Sequence, residues 1–124
     1  MQSFVTGSRC YGQPSETSDI DLVVLTTPYE MYQLKKLADA VIEKEDGSDG
    51  GPASASLRFG KLNLIVVTDE AAFSAWRLGT HFCRDLMLSG KPVGRDQAIE
   101  VFTSLRQMLI PHEVEAIVSP ASSD

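Results

Sequence analysis

Apolar and polar positions change period several times along the chain, and each change marks an element. Residues 3–6 read as a short first strand, ended by Gly7, and residues 8–12 as a helical turn. Residues 13–18 are a polar loop containing Pro14. A strand follows over 20–26, with Ile20, Leu22 and Val24 on one face and Asp21 on the other, because side chains alternate along extended chain. Pro28 stands at a favoured first-turn position. From there Met31, Leu34, Leu37, Ala38, Val41 and Ile42 recur at helical spacing, which predicts one long helix packed on a sheet. Glu30, Lys35, Lys36, Glu43, Lys44 and Glu45 then read as its wet face.

Residues 46–54 hold Gly47, Gly50, Gly51 and Pro52 and read as a flexible loop. A hairpin around Gly60 comes next, with strands at 55–59 and 61–68. Its second strand puts Leu62, Leu64 and Val66 on one face and Lys61, Asn63, Ile65 and Val67 on the other. Thr68 or Asp69 caps a helix that runs to about residue 89, stopped by Gly90 and Pro92. Phe73, Trp76, Leu78, Phe82, Leu86 and Met87 form its apolar stripe. A last helix over about 96–109 carries Ile99, Phe102, Leu105, Met108 and Leu109. The order predicts an α+β fold, a small mixed β-sheet flanked by helices, in a single domain over 1–118 with a flexible tail at 119–124.

Composition narrows the function classes. The chain has 124 residues, enough for one core and not two. Its 43% apolar and 23% charged residues are those of an ordinary globular protein. A net charge of −6 argues against extended nucleic-acid binding, which needs a basic surface. Cys10 and Cys83 have no metal-ligand spacing and read as two free thiols of a cytoplasmic protein. No apolar run reaches the length of a membrane span, and Met1-Gln2-Ser3-Phe4 leads straight into the first motif with no leader-like segment.

That motif carries the chemistry. Thr6-Gly7-Ser8-Arg9-Cys10-Tyr11-Gly12 precedes Thr17-Ser18-Asp19-Ile20-Asp21, with ten residues between Ser8 and Asp19. Asp19 and Asp21 point the same way from extended chain. Two adjacent carboxylates repel unless a positive charge lies between them. Mg²⁺ is commonly held by one or two carboxylates plus substrate phosphates. A Gly-Ser turn offers phosphates its backbone N–H groups and a hydroxyl. Gly-Ser, ten residues and Asp-x-Asp together resemble the signature of the DNA polymerase beta-like nucleotidyltransferases, and the spacing is similar to that of the minimal single-domain members. The resemblance covers residues 3–26 closely and extends to about residue 68. It implies a palm-like nucleotidyltransferase fold and transfer of a nucleoside monophosphate from a nucleoside triphosphate. Gly7, Ser8 and Arg9 would hold the phosphates, and Asp19 and Asp21 would hold Mg²⁺ or Mn²⁺. It allows a protein partner or protein substrate, since small domains of this kind often act as the antitoxin half of two-protein modules, and it leaves the acceptor open among a protein side chain, a small molecule and an RNA end.

The same resemblance expects a third carboxylate where this chain reads Leu62-Asn63-Leu64, so the third site residue is Asn63. An amide offers oxygen without charge. This favours a second reading, a catalytically weak or inactive domain that binds a nucleotide or a partner. Asp69 and Glu70 are six and seven residues downstream, some 20 Å along a strand. Asp46 and Asp49 in the glycine-rich loop are the other substitutes. Elsewhere, Trp76 reads as core before base-stacking, and His81 and His112 as structural or surface residues. Arg58 and Lys61 read as solvated hairpin charges, with phosphate contact the sharper alternative.

Overall fold

The computed structural model describes residues 2–44 and 54–108. In chain order it forms β1 (Gln2–Thr6), α1 (Ser8–Tyr11), β2 (Ile20–Leu25), α2 (Pro28–Leu37), β3 (Ala40–Lys44), β4 (Ser54–Phe59), β5 (Leu62–Val67), α3 (Glu70–Ser89) and α4 (Arg95–Met108). The strands make one mixed sheet in the order β1-β2-β5-β4-β3, in which only β2 and β5 run parallel. The molecule is therefore α+β, with a five-stranded mixed sheet flanked by helices.

Both sheet faces are covered, which explains the near-continuous apolar runs of the central strands. Val23, Ile65 and Val67 meet Phe73, Trp76 and Cys83 of α3 and Ala98 and Phe102 of α4. On the opposite face Ala55, Leu57 and Val66 meet Met31, Leu34 and Ala38 near α2. A buried hydroxyl pair, Thr6 Oγ1 to Thr80 Oγ1 at 2.8 Å, ties the end of β1 to α3. The starts of α2 and α3 are built from local chemistry. Thr27 and Glu30 form a reciprocal capping box on α2, and the Asp69 carboxylate accepts from Ala71 N–H at the start of α3.

The predicted long helix stops early. α2 ends at Leu37, Ala38 turns to extended backbone, and residues 40–44 are an edge strand rather than a helical continuation. The reason is tertiary. Asp39 N–H donates to the Arg58 carbonyl and the Asp39 carboxylate accepts from Gly60 N–H, which holds the chain against β4. The β-branched pair Val41-Ile42 then satisfies an open strand edge. Glu43 and Lys44 are accordingly not a helix face. Glu43 pairs with Lys35 at 2.6 Å, and Lys44 stands opposite Ser54 in the ladder with β4.

The stripe expected on α3 also divides. Phe73, Trp76, Gly79, Thr80 and Cys83 are its buried face, while Leu78, Phe82 and Leu86 are exposed. Residues 78, 82 and 86 repeat every fourth position and share a face about a third of a turn from the core. Among the described residues no helix is long and apolar enough to cross a membrane. The glycine-rich loop with Asp46 and Asp49, the end of the last helix at Leu109, His112 and the tail at 119–124 lie outside the described residues.

Candidate functional site

Strand register assembles the site. Thr6, Asp21, Asn63, Arg58 and Ala40 are successive partners across β1, β2, β5, β4 and β3, so their side chains form one row on one face. Asp19, two residues before Asp21, emerges beside that row just before the start of β2. The hairpin fixes the Arg58–Asn63 pairing. Its two-residue turn is Gly60-Lys61, and Gly60 has φ 61°, as the first position of a type II′ turn requires.

The row floors a cavity of about 660 Å³, a volume suited to a nucleotide-sized ligand. Gly7, Ser8, Asp19, Asp21 and Asn63 all line it, so five of the six residues singled out from sequence come together. Trp76, Val93 and Phe102 form the apolar wall between the sheet and α4, and Lys44, Arg58 and Arg95 add positive charge. Arg9 is the sixth residue and is placed elsewhere. Its guanidinium donates to the carbonyls of Ser15 and Ser18, at 3.2 and 2.9 Å, and so closes the polar loop before Asp19. Lys61 similarly donates to the Glu16 carbonyl from the other side of that loop. Asp69, at the start of α3, is engaged in capping.

Gly7 explains why the turn begins with glycine. Its φ of 73° and ψ of −159° lie in a region that residues with a Cβ scarcely enter. A Cβ there would collide with Asp21 Oδ2 and sit 3.1 Å from Asp21 Cγ. The Asp21 carboxylate therefore rests directly on the Gly7 backbone.

The two aspartates sit in opposite electrostatic settings. Arg58 grips Asp19 with a two-pronged fork, Nη1 to Oδ1 at 3.1 Å and Nη2 to Oδ2 at 2.9 Å. Those hydrogen bonds hold the Asp19 carboxyl below its ordinary range. Asp21 is shifted the other way. Burial pushes its carboxyl up and nearby Asp19 adds to this, against the hydrogen bond from Asn63 and the charges of Arg58 and Lys44. The Asn63 amide donates Nδ2–H to Asp21 Oδ1 at 3.0 Å, so it presents a donor to the carboxylate, not an oxygen to a cation. Cysteine nucleophiles are poorly served here. Burial pushes the Cys83 thiol up to about 11 and the Cys10 thiol upward as well, disfavouring the thiolate.

No family model, curated protein or solved structure matches the chain.

The donor set can be tested against a hard divalent cation. Two carboxylates open to one cavity beside a glycine backbone, which fits a single Mg²⁺ or Mn²⁺ completed by a ligand's phosphates. Among the described residues no three His, Cys, Asp or Glu side chains gather into a metal site. Asn63 contributes no charge, so the set does not fit a tightly held metal pair.

A pH-dependent stability effect follows from Asp21. Its folded-state pKa is raised, so ionisation of Asp21 opposes folding at pH above that value. The penalty is relieved as pH falls toward the ordinary carboxylate value. Asp21→Asn removes it and keeps an oxygen that can accept from Asn63. In EDTA at pH 7 the variant is expected to melt a few degrees above the parent, with the gap closing near pH 4. Thermal melts at the two pH values check this, and an equal or lower melting point at pH 7 contradicts it.

Proposed function

We propose that this chain is a nucleotidyltransferase-type domain with a palm-like fold. It binds a nucleoside triphosphate and transfers the nucleoside monophosphate to an acceptor. An acceptor oxygen attacks the α-phosphorus, the bond from that phosphorus to the bridging β-oxygen breaks, and pyrophosphate leaves as the acceptor gives up its proton. The observation that carries this reading is that one cavity joins the Gly7-Ser8 turn to Asp19 and Asp21. The Ser8 and Arg9 N–H groups and the Ser8 hydroxyl would take the terminal phosphates, since the Cys10 N–H is bonded to the Gly7 carbonyl. Asp19 and Asp21 would hold Mg²⁺ or Mn²⁺, which supplies neutralising charge at the phosphates. Arg58, Lys44 and Arg95 would offset the rest of the triphosphate charge. Trp76 and Phe102, 5.1 Å apart and both buried, would bound the nucleoside end.

A second reading is favoured by Asn63. With a neutral amide donating to Asp21 in place of a third carboxylate, the domain would bind nucleotide, or a partner protein, without efficient transfer.

Calorimetry with ATP, GTP, CTP and UTP, with and without Mg²⁺, tests the shared premise. Binding that strengthens with the metal supports it, and no binding to any of the four overturns it. Incubation with the labelled nucleotides and a cell lysate separates transfer from binding alone. Asn63→Asp then tests the role of the third position. A carboxylate there is expected to raise transfer through kcat more than through nucleotide affinity, since the other two aspartates already hold the nucleotide's metal. Metal-free, the same change sets a new charge beside Asp21 and should lower the melting point. A folded Asn63→Asp protein no faster than the parent shows that the lack of a carboxylate there does not limit turnover.

A further inference from the structure

We infer that Arg58 is a built-in counter-ion which excludes free divalent metal from the aspartate pair until a polyphosphate draws it away. This rests on the nucleotide reading above and adds an order of loading to it.

The argument begins with Asp19. Both of its oxygens are taken by the two prongs of Arg58. Asp21 has one oxygen bonded to the Asn63 amide and the other against Gly7. Each Asp19 oxygen keeps a second lone pair, but a cation that used it to bind between the aspartates would lie beside the Arg58 guanidinium, whose charge repels it. Arg58 is held in that place by more than the ion pair. Its register partner is Asn63, its Nη1 also donates to the Gly60 carbonyl at 3.3 Å, and the Arg58 carbonyl is fixed by Asp39 N–H.

Charge sets the direction of exchange. The guanidinium and two carboxylates sum to one negative charge, too little to attract a strongly hydrated dication away from water. A triphosphate brings about four negative charges and a planar fork suits phosphate oxygen as well as carboxylate. Arg58 lines the same cavity as Gly7 and Ser8, so the phosphates that would lie on the turn are within its compartment. Moving the guanidinium from Asp19 to phosphate frees Asp19 for metal and leaves no buried charge unpaired. Half-exposure of both partners makes that exchange accessible to ordinary side-chain rotation. Metal and polyphosphate thus bind with positive coupling, and Arg58 is the residue that creates it.

Mn²⁺ binding, read by paramagnetic resonance and calorimetry, tests this without any turnover. The probes are Mn²⁺ alone and Mn²⁺ with inorganic tripolyphosphate. The parent is expected to bind Mn²⁺ alone weakly, and Arg58→Gln about tenfold more tightly. Tripolyphosphate should tighten Mn²⁺ binding to the parent several-fold more than to Arg58→Gln. Arg58→Lys keeps the charge without the fork and should fall between them, and Asp19→Asn should lose the metal in every background. Equal Mn²⁺ affinity in the parent and a folded Arg58→Gln protein overturns the inference, as does equal enhancement by tripolyphosphate in both. ATP titration of the parent in Mn²⁺ separates the two claims. Failure to bind ATP counts against the nucleotide reading, whereas the Mn²⁺-only comparison judges Arg58 by itself.

Discussion

A Gly7→Ala protein is expected to fold and to lose its site. Two costs arise at one atom. The backbone at φ 73° and ψ −159° is strained for any residue with a Cβ, at about 1–3 kcal/mol. The added methyl also overlaps Asp21 Oδ2, so the carboxylate must rotate off the turn or the turn must open. Asp21 has little freedom to give, because it is half-buried between Asn63 and the start of α1. Either adjustment separates the Asp21 carboxylate from the Gly7-Ser8 backbone, which is the relation the proposed chemistry uses. Nucleotide affinity in Mg²⁺ is expected to fall at least tenfold, and transfer by more. Calorimetry on the folded variant checks this, with a melt to confirm that the sheet survives. Ser8→Ala is the comparison, since it removes one hydroxyl without moving Asp21, and its loss should be the smaller. A Gly7→Ala protein that binds nucleotide like the parent would show that the contact between the turn and Asp21 is incidental.

Gly79→Ala is expected to lower stability, although the substitution adds only a methyl group to a helix. In a mid-helix position alanine normally gains about 1 kcal/mol over glycine. Here the new Cβ would overlap the Phe102 ring, 2.6 Å from Cδ1 and 2.7 Å from Cζ. Phe102 cannot simply swing aside, since it is 5% exposed and packs against Trp76. Overpacking of this kind costs about 1–3 kcal/mol, so the clash outweighs the helical gain. Net of the helical gain the loss is up to about 2 kcal/mol, so the melting point should drop by several degrees. A cycle with Phe102→Ala identifies the cause. That substitution alone costs about 3–5 kcal/mol through the cavity it opens, and adding Gly79→Ala to it should cost nothing further or restore some stability. Strictly additive losses would place the strain elsewhere. Because Phe102 also walls the cavity, Gly79→Ala should weaken nucleotide binding modestly.

The sequence alone determined the local half of this protein. Alternation through Asp19-Ile20-Asp21 placed both aspartates toward one side of β2, because a strand has a fixed period. The same rule put Asn63, Ile65 and Val67 opposite Leu64 and Val66, and the two cores keep that division. The start of α3 was readable in Asp69, whose cap bond spans two residues. Gly60 marked the hairpin, but the second strand expected from residue 61 starts at Leu62, and only that two-residue turn sets Arg58 opposite Asn63. What the sequence could not show was where elements meet. Residues 40–44 satisfy a helical period as well as a strand, and only the open edge of β4 decided between them. Leu78, Phe82 and Leu86 are as apolar as the buried positions of α3, and only packing against the sheet and α4 chose which stripe is covered. Arg9 stands in the motif yet bonds to a neighbouring loop, while Arg58, 39 residues beyond Asp19, takes both oxygens of that aspartate. Long-range pairing of charges depends on strand order, and strand order is a property of the whole sheet, so no local pattern in the chain encodes it.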